Sequence, residues 1–369
     1  MRVLLTGGGT GGHVYPALAI AEALSEDSAL LPLEILFVGT RDGLESEIVP
    51  ASGIASAYVE AAPLPRTVSL ALFRTLYTNA VGFVQSLGVL HRFKPDVAIA
   101  TGGYVTFPVI AALRTVTALG LSQAKIALLE PNAEPGLTNR LLGPLVDEIW
   151  MTLTPSGAPK TITTGTPVRA TFARELDQSA ARVALGLDPA FTTIVVFGGS
   201  QGARSLNEAC AALARELPPQ RQMLLVTGSR DHADIAARLK GAARVRVVRY
   251  LDDPRAAYAA ADLVVARAGA STLAELSATA TPALLVPYPH ATGDHQARNA
   301  EVFARGGGAR VLADRDLSPG RLRAELDAAL EPGALAALRT GARLSSKGDA
   351  RAHVVARVKA LLRPNYVRP

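Results

Sequence analysis

Short β-branched runs alternate along the chain with Ala/Leu-rich stretches of helical period. Arg2–Thr6 reads as a strand and Val14–Leu24 as a helix; Leu33–Val38, Asp96–Ala100 and Lys125–Leu129 read as the next strands. This rhythm predicts a parallel sheet with helices on both faces. It restarts past residue 170, where Thr192–Phe197, Met223–Val226, Val245–Val248, Asp262–Ala266 and Ala283–Val286 are strand-like, each followed by turn residues and usually a helix. The fold class expected is α/β, with two successive doubly wound units. The join falls at Gly165–Arg169, after the short run Thr161–Thr164. That gives a first domain over 1–167, a second over 168–350, and a basic helical segment with a tail over 351–369. Ser69–Phe93 carries Leu70, Phe73, Leu76, Tyr77, Ala80, Phe83 and Val84 at helical spacing. Most of that stripe is expected to face a core, with the end near Leu70, Phe73 and Leu76 left at the surface.

Composition agrees with two cores. The chain has 369 residues, of which 49% are hydrophobic and 19% charged, which excludes disorder. A single cysteine, Cys210, excludes a disulfide framework and a thiolate metal cluster and fits a reducing compartment. The first residues run straight into glycines, too short for a signal peptide. The long uncharged stretches near Val97–Leu113 and Leu276–Gly293 contain Pro and Gly and do not read as spanning helices.

The net charge of +6 is uneven. Residues 1–167 hold 10 basic and 13 acidic side chains, residues 168–350 hold 23 and 19, and residues 351–369 hold 5 and none. There is no dense basic stripe interleaved with aromatics, so no nucleic-acid partner is expected. An anionic small ligand or an anionic membrane surface suits the surplus better; an ordinary solvated surface is the alternative.

Candidate chemistry sits where strands meet glycines. Gly7-Gly8-Gly9-Thr10-Gly11-Gly12-His13 follows a strand and enters a helix. Such a loop lets backbone approach a ligand, and the helix behind it offers unpaired N–H groups and a positive dipole end. Gly7, Gly9 and Gly12 also satisfy the dinucleotide fingerprint, but the second strand ends Phe37-Val38-Gly39-Thr40 without the acid that would hold a ribose. Gly198-Gly199-Ser200-Gln201-Gly202 and Thr101-Gly102-Gly103-Tyr104 stand in the same setting. Ser200 could bond a phosphate oxygen or cap the helix. Ligands of open α/β sheets bind beyond the carboxyl ends of strands, so the three loops are expected to line a cleft between the domains.

In the second half, Gly269–Thr272 reads as a loop whose amides could hold a diphosphate, with Glu275 on the first helical turn behind it as a ribose ligand. The competing reading makes Ser271 or Thr272 a cap and Glu275 the end of a capping box. Gln296 and Asn299 share a helical face suited to sugar hydroxyls. His290 and His295 lack carboxylate partners at ligand spacing, and Asp314-Arg315-Asp316 reads as a surface turn unconnected to any glycine loop. No metal and no cofactor are expected.

Together these segments resemble the MurG family of peptidoglycan N-acetylglucosaminyltransferases, which convert lipid I to lipid II. The carriers are Gly7–Leu18, Gly102–Pro108, Glu130–Asn139, Gly165–Arg169, Gly198–Asn207, Arg267–Leu276 and His295–Ala300, in family order over nearly the whole chain. The resemblance implies the GT-B architecture, two Rossmann-like doubly wound domains with an interdomain cleft. It implies UDP-N-acetylglucosamine held mainly by the second half: Glu275 on the ribose, Ser200 and the Gly269–Thr272 amides on the diphosphate, the backbone of Leu251 on uracil, and Gln296 and Asn299 on sugar hydroxyls. Ala270, Ser271, Thr272, Leu273 and Ala274 fall in that donor segment. Asn132 and Arg169 match positions on the donor side of the cleft, Thr10, Gly11 and Gly12 the N-terminal loop, and Tyr104 the acceptor side. Pro131 and Thr166 depart from the family, which often has Gln and Asn there.

The activity implied is metal-independent, inverting transfer of N-acetylglucosamine to the C4 hydroxyl of N-acetylmuramic acid in lipid I, at the cytoplasmic side of the cell membrane as a peripheral protein. His13, ending the first loop, is the candidate base; a histidine bonding a neighbouring loop is its structural alternative. The rivals are another enzyme of this architecture, such as a UDP-N-acetylglucosamine 2-epimerase or another lipid glycosyltransferase, and a non-catalytic nucleotide-sugar binding protein.

Overall fold

Central strands that are apolar at nearly consecutive positions are satisfied by burial on both faces. The computed structural model, which describes residues 1–65, 70–153, 158–173, 176–199, 202–251, 253–345 and 349–362, shows that solution twice. The chain divides into two compact units, Met1–Ala170 with Lys347–Pro369, and Thr171–Ser346.

The first unit holds β1 (Arg2–Gly7), β2 (Glu34–Gly39), β3 (Ala55–Tyr58), β4 (Val97–Gly102), β5 (Lys125–Glu130), β6 (Glu148–Met151) and β7 (Thr161–Thr163), in the order β3-β2-β1-β4-β5-β6-β7. All its pairings are parallel. Val3, Leu5, Val97 and Ile99 pack under helix Gly11–Glu26, whereas Leu4, Ala98 and Ala100 pack with Val89 and Leu90 of helix Leu70–Phe93 and Val109, Ile110 and Leu113 of helix Thr106–Ala118. Helix Ala350–Leu362 completes this unit: Val354, Val355 and Val358 join the core beside Trp150. Arg351 pairs with Glu22 at 3.2 Å and Glu26 at 2.7 Å, Lys359 with Asp27 at 2.5 Å, and Arg357 with Glu148.

The second unit holds β8 (Thr192–Phe197), β9 (Arg221–Val226), β10 (Val245–Val248), β11 (Leu263–Ala266), β12 (Ala283–Leu285) and β13 (Ala309–Val311), again parallel, in the order β10-β9-β8-β11-β12-β13. In each sheet the order reverses once, between β1 and β4 and between β8 and β11. Those reversals open a crevice at the carboxyl ends of the flanking strands.

Three strands go unforeseen in the sequence. β3 is Ala-Ser-Ala-Tyr, without a β-branched residue; β6 carries Glu148; β13 has only three residues. Helix Leu70–Phe93 differs from expectation more instructively. Its inward face carries Thr75, Gly82 and Ser86, all buried, and a Cβ on Gly82 would stand 1.8 Å from the Glu60 carbonyl oxygen. Asn79 Nδ2 donates to the Ala62 carbonyl at 2.9 Å, and Gln85 accepts from the Glu60 amide at 2.7 Å. Phe73, Leu76, Tyr77 and Val84 face outward, between 51% and 73% exposed. The apolar stripe is therefore mostly a surface feature, because close approach of the strand-end segment selects small and amide side chains on the inner side. The side chain of Leu70, and Arg66–Ser69, lie outside the described residues.

Candidate functional site

At the reversal of the first sheet, the loops after β1 and β4 meet backbone to backbone. Gly8 N donates to the Gly102 carbonyl at 3.2 Å. A Cβ on Gly103, whose φ is +90°, would lie 2.3 Å from the Gly8 carbonyl oxygen, so only glycine fits this contact. Helix Gly11–Glu26 starts inside the glycine run, earlier than the Val14 expected, with exposed Thr10 as its N-cap and no side-chain cap bond. The amides of Gly11 and Gly12 are thus among the unpaired donors of a helix N-terminus. Tyr104 is half-buried, with its ring against Gly9.

His13 joins the two loops. Its Nδ1 lies 2.9 Å from the Thr101 carbonyl oxygen, and Thr101 Oγ1 donates to the His13 carbonyl at 2.7 Å. A carbonyl can only accept, so Nδ1 carries the hydrogen and Nε2 the lone pair in the neutral ring. The structural bond and the base role are therefore compatible.

Glu45 went unnoticed in the sequence. Its buried carboxylate accepts from Gly9 N at 3.1 Å, Thr40 N at 3.1 Å and Thr40 Oγ1 at 2.7 Å, fixing the first loop from below. At the end of β5, buried Glu130 accepts from the Asn132 amide at 2.9 Å, Asn132 Nδ2 at 3.1 Å and Asn139 Nδ2 at 2.8 Å. Burial raises its pKa against the pull of those donors. Asn132 is thereby held to its loop. Thr166 is buried, 2.6 Å from the Thr152 hydroxyl. Arg169 Nε lies 3.5 Å from Glu22 Oε1 in this first unit.

The reversal of the second sheet is flanked by Gly198-Gly199, after β8, and Gly269, after β11. Ser200 and Gln201 lie outside the described residues. Gly269 is the N-cap of helix Ala270–Thr279 and the helix has no side-chain cap bond, which overturns the capping-box reading of Ser271, Thr272 and Glu275. By helix geometry the amides of Ala270, Ser271 and Thr272 lack intrahelical acceptors. Ser271 Oγ is buried with no hydrogen-bond partner among the described residues. The Leu273 amide donates to the Gly269 carbonyl at 3.0 Å, and the Leu273 and Ala274 side chains are in the core.

Glu275 stands on the second turn of that helix, not the first. Its Oε2 accepts from the Tyr258 hydroxyl at 2.7 Å. Burial pushes its pKa up to about 7, and the Tyr258 bond acts in the opposite sense. Gln296 Oε1 accepts from the Tyr288 amide at 3.0 Å. Asn299 is fully buried and its Nδ2 donates to the Ala268 carbonyl at 3.3 Å. This bond ties the helix to the strand end ahead of Gly269. Leu251 is half-buried, three residues past β10.

Asp314 is no free surface turn. Its Oδ1 accepts from Arg267 Nη1 at 2.6 Å and Ser205 Oγ at 2.8 Å. Arg267 also donates to the Val286 carbonyl at 3.0 Å and to Ser205 Oγ at 2.8 Å. This buried cluster ties the Gly269 loop to the helix that follows β8, a link between residues distant in sequence.

Residues 3–151 match the glycosyltransferase family 28 N-terminal domain and residues 193–354 the family 28 C-terminal domain. The UDP-N-acetylglucosamine–N-acetylmuramyl-(pentapeptide) pyrophosphoryl-undecaprenol N-acetylglucosamine transferase of Halothermothrix orenii is 40% identical over 341 residues, covering 87% of this chain and 88% of that one. Among solved structures, Acinetobacter baumannii MurG superposes with a TM-score of 0.76 at 24% identity, covering 97% and 99% of the two chains. A putative UDP-N-acetylglucosamine 2-epimerase from Listeria monocytogenes superposes with a TM-score of 0.67 at 12% identity, covering 97% and 96%, a likeness of fold.

Proposed function

Because this chain belongs to the MurG family, within glycosyltransferase family 28, we propose that it transfers N-acetylglucosamine from UDP-N-acetylglucosamine to the C4 hydroxyl of N-acetylmuramic acid in lipid I. UDP leaves with inversion at the anomeric carbon, and the other product is lipid II, in which a β-1,4 linkage joins the two sugars. The observation that supports this most is the arrangement at the β8/β11 reversal. There an uncapped helix N-terminus, a buried unpaired Ser271 hydroxyl and the Glu275 carboxylate on the second turn offer donors for a diphosphate and acceptors for a ribose.

In this reading the amides of Ala270, Ser271 and Thr272, with Ser200, take the negative charge that develops on the departing diphosphate. Glu275 accepts the ribose hydroxyls, the backbone of Leu251 reads uracil, and Gln296 meets the sugar. In the first unit, Asn132, Thr10, Gly11, Gly12 and Tyr104 are the residues that meet substrate. His13 Nε2 takes the proton of the attacking C4 hydroxyl, its lone pair directed by the Nδ1 bond to Thr101. Arg169, whose Nε lies near Glu22, adds positive charge for the diphosphate.

Lipid I carries a polyprenyl chain, so the enzyme works at a bilayer surface. Among the described residues, no helix is long and apolar enough to cross a membrane. The outward face of helix Leu70–Phe93, with Phe73, Leu76, Tyr77 and Val84 beside exposed Arg74, Arg92 and Lys94, suits peripheral docking on an anionic leaflet at the cytoplasmic side.

The test is turnover of labelled UDP-N-acetylglucosamine with a lipid I analogue in excess EDTA. The expected products are the β-1,4 disaccharide lipid and UDP at undiminished rate. Isomerised donor formed without acceptor would instead indicate the epimerase, and binding without turnover the non-catalytic rival. Activity lost to EDTA and restored by Mn²⁺ or Mg²⁺ would overturn metal independence.

A further inference from the structure

Tyr258, on helix Arg255–Ala260, has so far entered only as the neighbour of Glu275. Its ring is buried and doubly held. It stacks on Phe197 with centroids 5.1 Å apart and planes 29° from parallel, and meets Phe172 edge-on at 6.0 Å and 62°. A phenol ring fixed on two sides has no remaining rotamer freedom, so its hydroxyl is a rigid strut. It ends 2.7 Å from Glu275 Oε2. Phe197 is the last residue of β8, directly before Gly198. One aromatic stack therefore connects the loop after β8 with the carboxylate behind the loop after β11.

We propose that Tyr258 is a positioning residue for the donor: its hydroxyl holds the Glu275 carboxylate in the orientation that accepts both vicinal hydroxyls of a ribose, which makes the site select ribonucleotides over 2′-deoxyribonucleotides. This rests on the reading of Glu275 as the ribose ligand. An ionised carboxylate offers about four lone-pair directions on two oxygens. The Tyr258 hydroxyl takes one and thereby fixes rotation of the whole group. The remaining directions are then fixed in space, as a rigid 1,2-diol requires. Without the strut the carboxylate can still meet one hydroxyl, but it no longer presents a preset pair.

The test is a double-mutant cycle on the full chain, with UDP and dUDP titrated calorimetrically at pH 8 into wild type, Tyr258→Phe, Glu275→Ala and the double variant. Phenylalanine keeps the ring and its stacking, so the fold is retained. Wild type is expected to prefer UDP by roughly tenfold or more, the size of a lost hydrogen bond to a charged group. Tyr258→Phe should cut that preference by about threefold or more, within the coupling range of residues in one network, and should have no further effect once Glu275 is alanine. In turnover, Tyr258→Phe should raise KM for the donor and leave kcat nearly unchanged. If Glu275→Ala abolishes the preference while Tyr258→Phe leaves it intact, the positioning role is overturned and the Glu275 reading stands. Equal losses for UDP and dUDP, or the same loss with and without Glu275, would reduce Tyr258 to packing and also overturn it. An undiminished preference in Glu275→Ala removes the ribose ligand itself, and the positioning role with it.

Discussion

A single carbonyl decides what His13 can do. With Nδ1 donating to Thr101, the basic nitrogen is Nε2. His13→Ala should lower turnover by roughly 10²–10⁴ if Nε2 is the general base, with donor affinity nearly unchanged. A fall of less than tenfold in a folded variant would assign the proton to another group. Glu275 gives a second outcome at this scale. Its pKa of about 7 means that near neutral pH the carboxyl is partly protonated, and a protonated oxygen cannot accept a ribose hydroxyl. Affinity for UDP-N-acetylglucosamine, whose diphosphate is fully esterified and does not titrate there, should rise from pH 6 to pH 8 and level off. By linkage, binding releases a proton in that window. Calorimetry across the range checks it, and Glu275→Ala should flatten the curve. Glycines at strand ends and a carboxylate shortly after one of them were readable from the sequence, because the chemistry of each is local. Glu45, Tyr258 and the Arg267–Asp314 pair were not: each acts on a loop remote in sequence, and nothing near it marks the partner. The burial of Asn299 was not legible either, because two amides on one helical face say nothing about which is buried.

At the scale of elements, helix Leu70–Phe93 departs over Phe73–Val84 from the usual rule that the apolar side of an amphipathic helix turns inward, while Val89 and Leu90 further along still pack in the core. Thr75, Gly82 and Ser86 are inside because the segment near Glu60–Ala62 comes within hydrogen-bonding distance of Asn79 and Gln85. What is left outside is an apolar face with basic neighbours. Liposome flotation should show wild type on anionic vesicles, weakened by salt, and a Phe73/Leu76/Tyr77→Ser variant largely released. Equal, salt-insensitive flotation of the two would move docking elsewhere. Both sheets' central strands were legible as continuous apolar runs. The edge strands β3 and β13 were not, since a strand paired on one side needs little burial and carries a weak pattern.

At the scale of the molecule, the first unit is sealed by residues from the far end of the chain. Val354, Val355 and Val358 cover the same core as Trp150, whose Nε1 donates to Glu148, the partner of Arg357. Burying each valine is worth about 1.5–3 kcal/mol. Deleting residues 350–369 should therefore lower the melting temperature seen by Trp150 fluorescence, the chain's sole tryptophan, while far-UV dichroism retains a later transition from the second unit. A Trp150 transition unchanged by the deletion would contradict this.

That closure also sets a schedule for synthesis. The second unit, Thr171–Ser346, is an uninterrupted stretch, whereas the first awaits residues translated after it. On the ribosome the later-made unit can thus finish folding first, reversing the usual N-to-C order of domain completion. An arrested chain in which an unstructured linker long enough to fill the exit tunnel replaces residues 347–369 should carry a protease-resistant second unit and a first unit that is still cleaved. Full protection of both at that point would mean the last helix is dispensable for closing the first core.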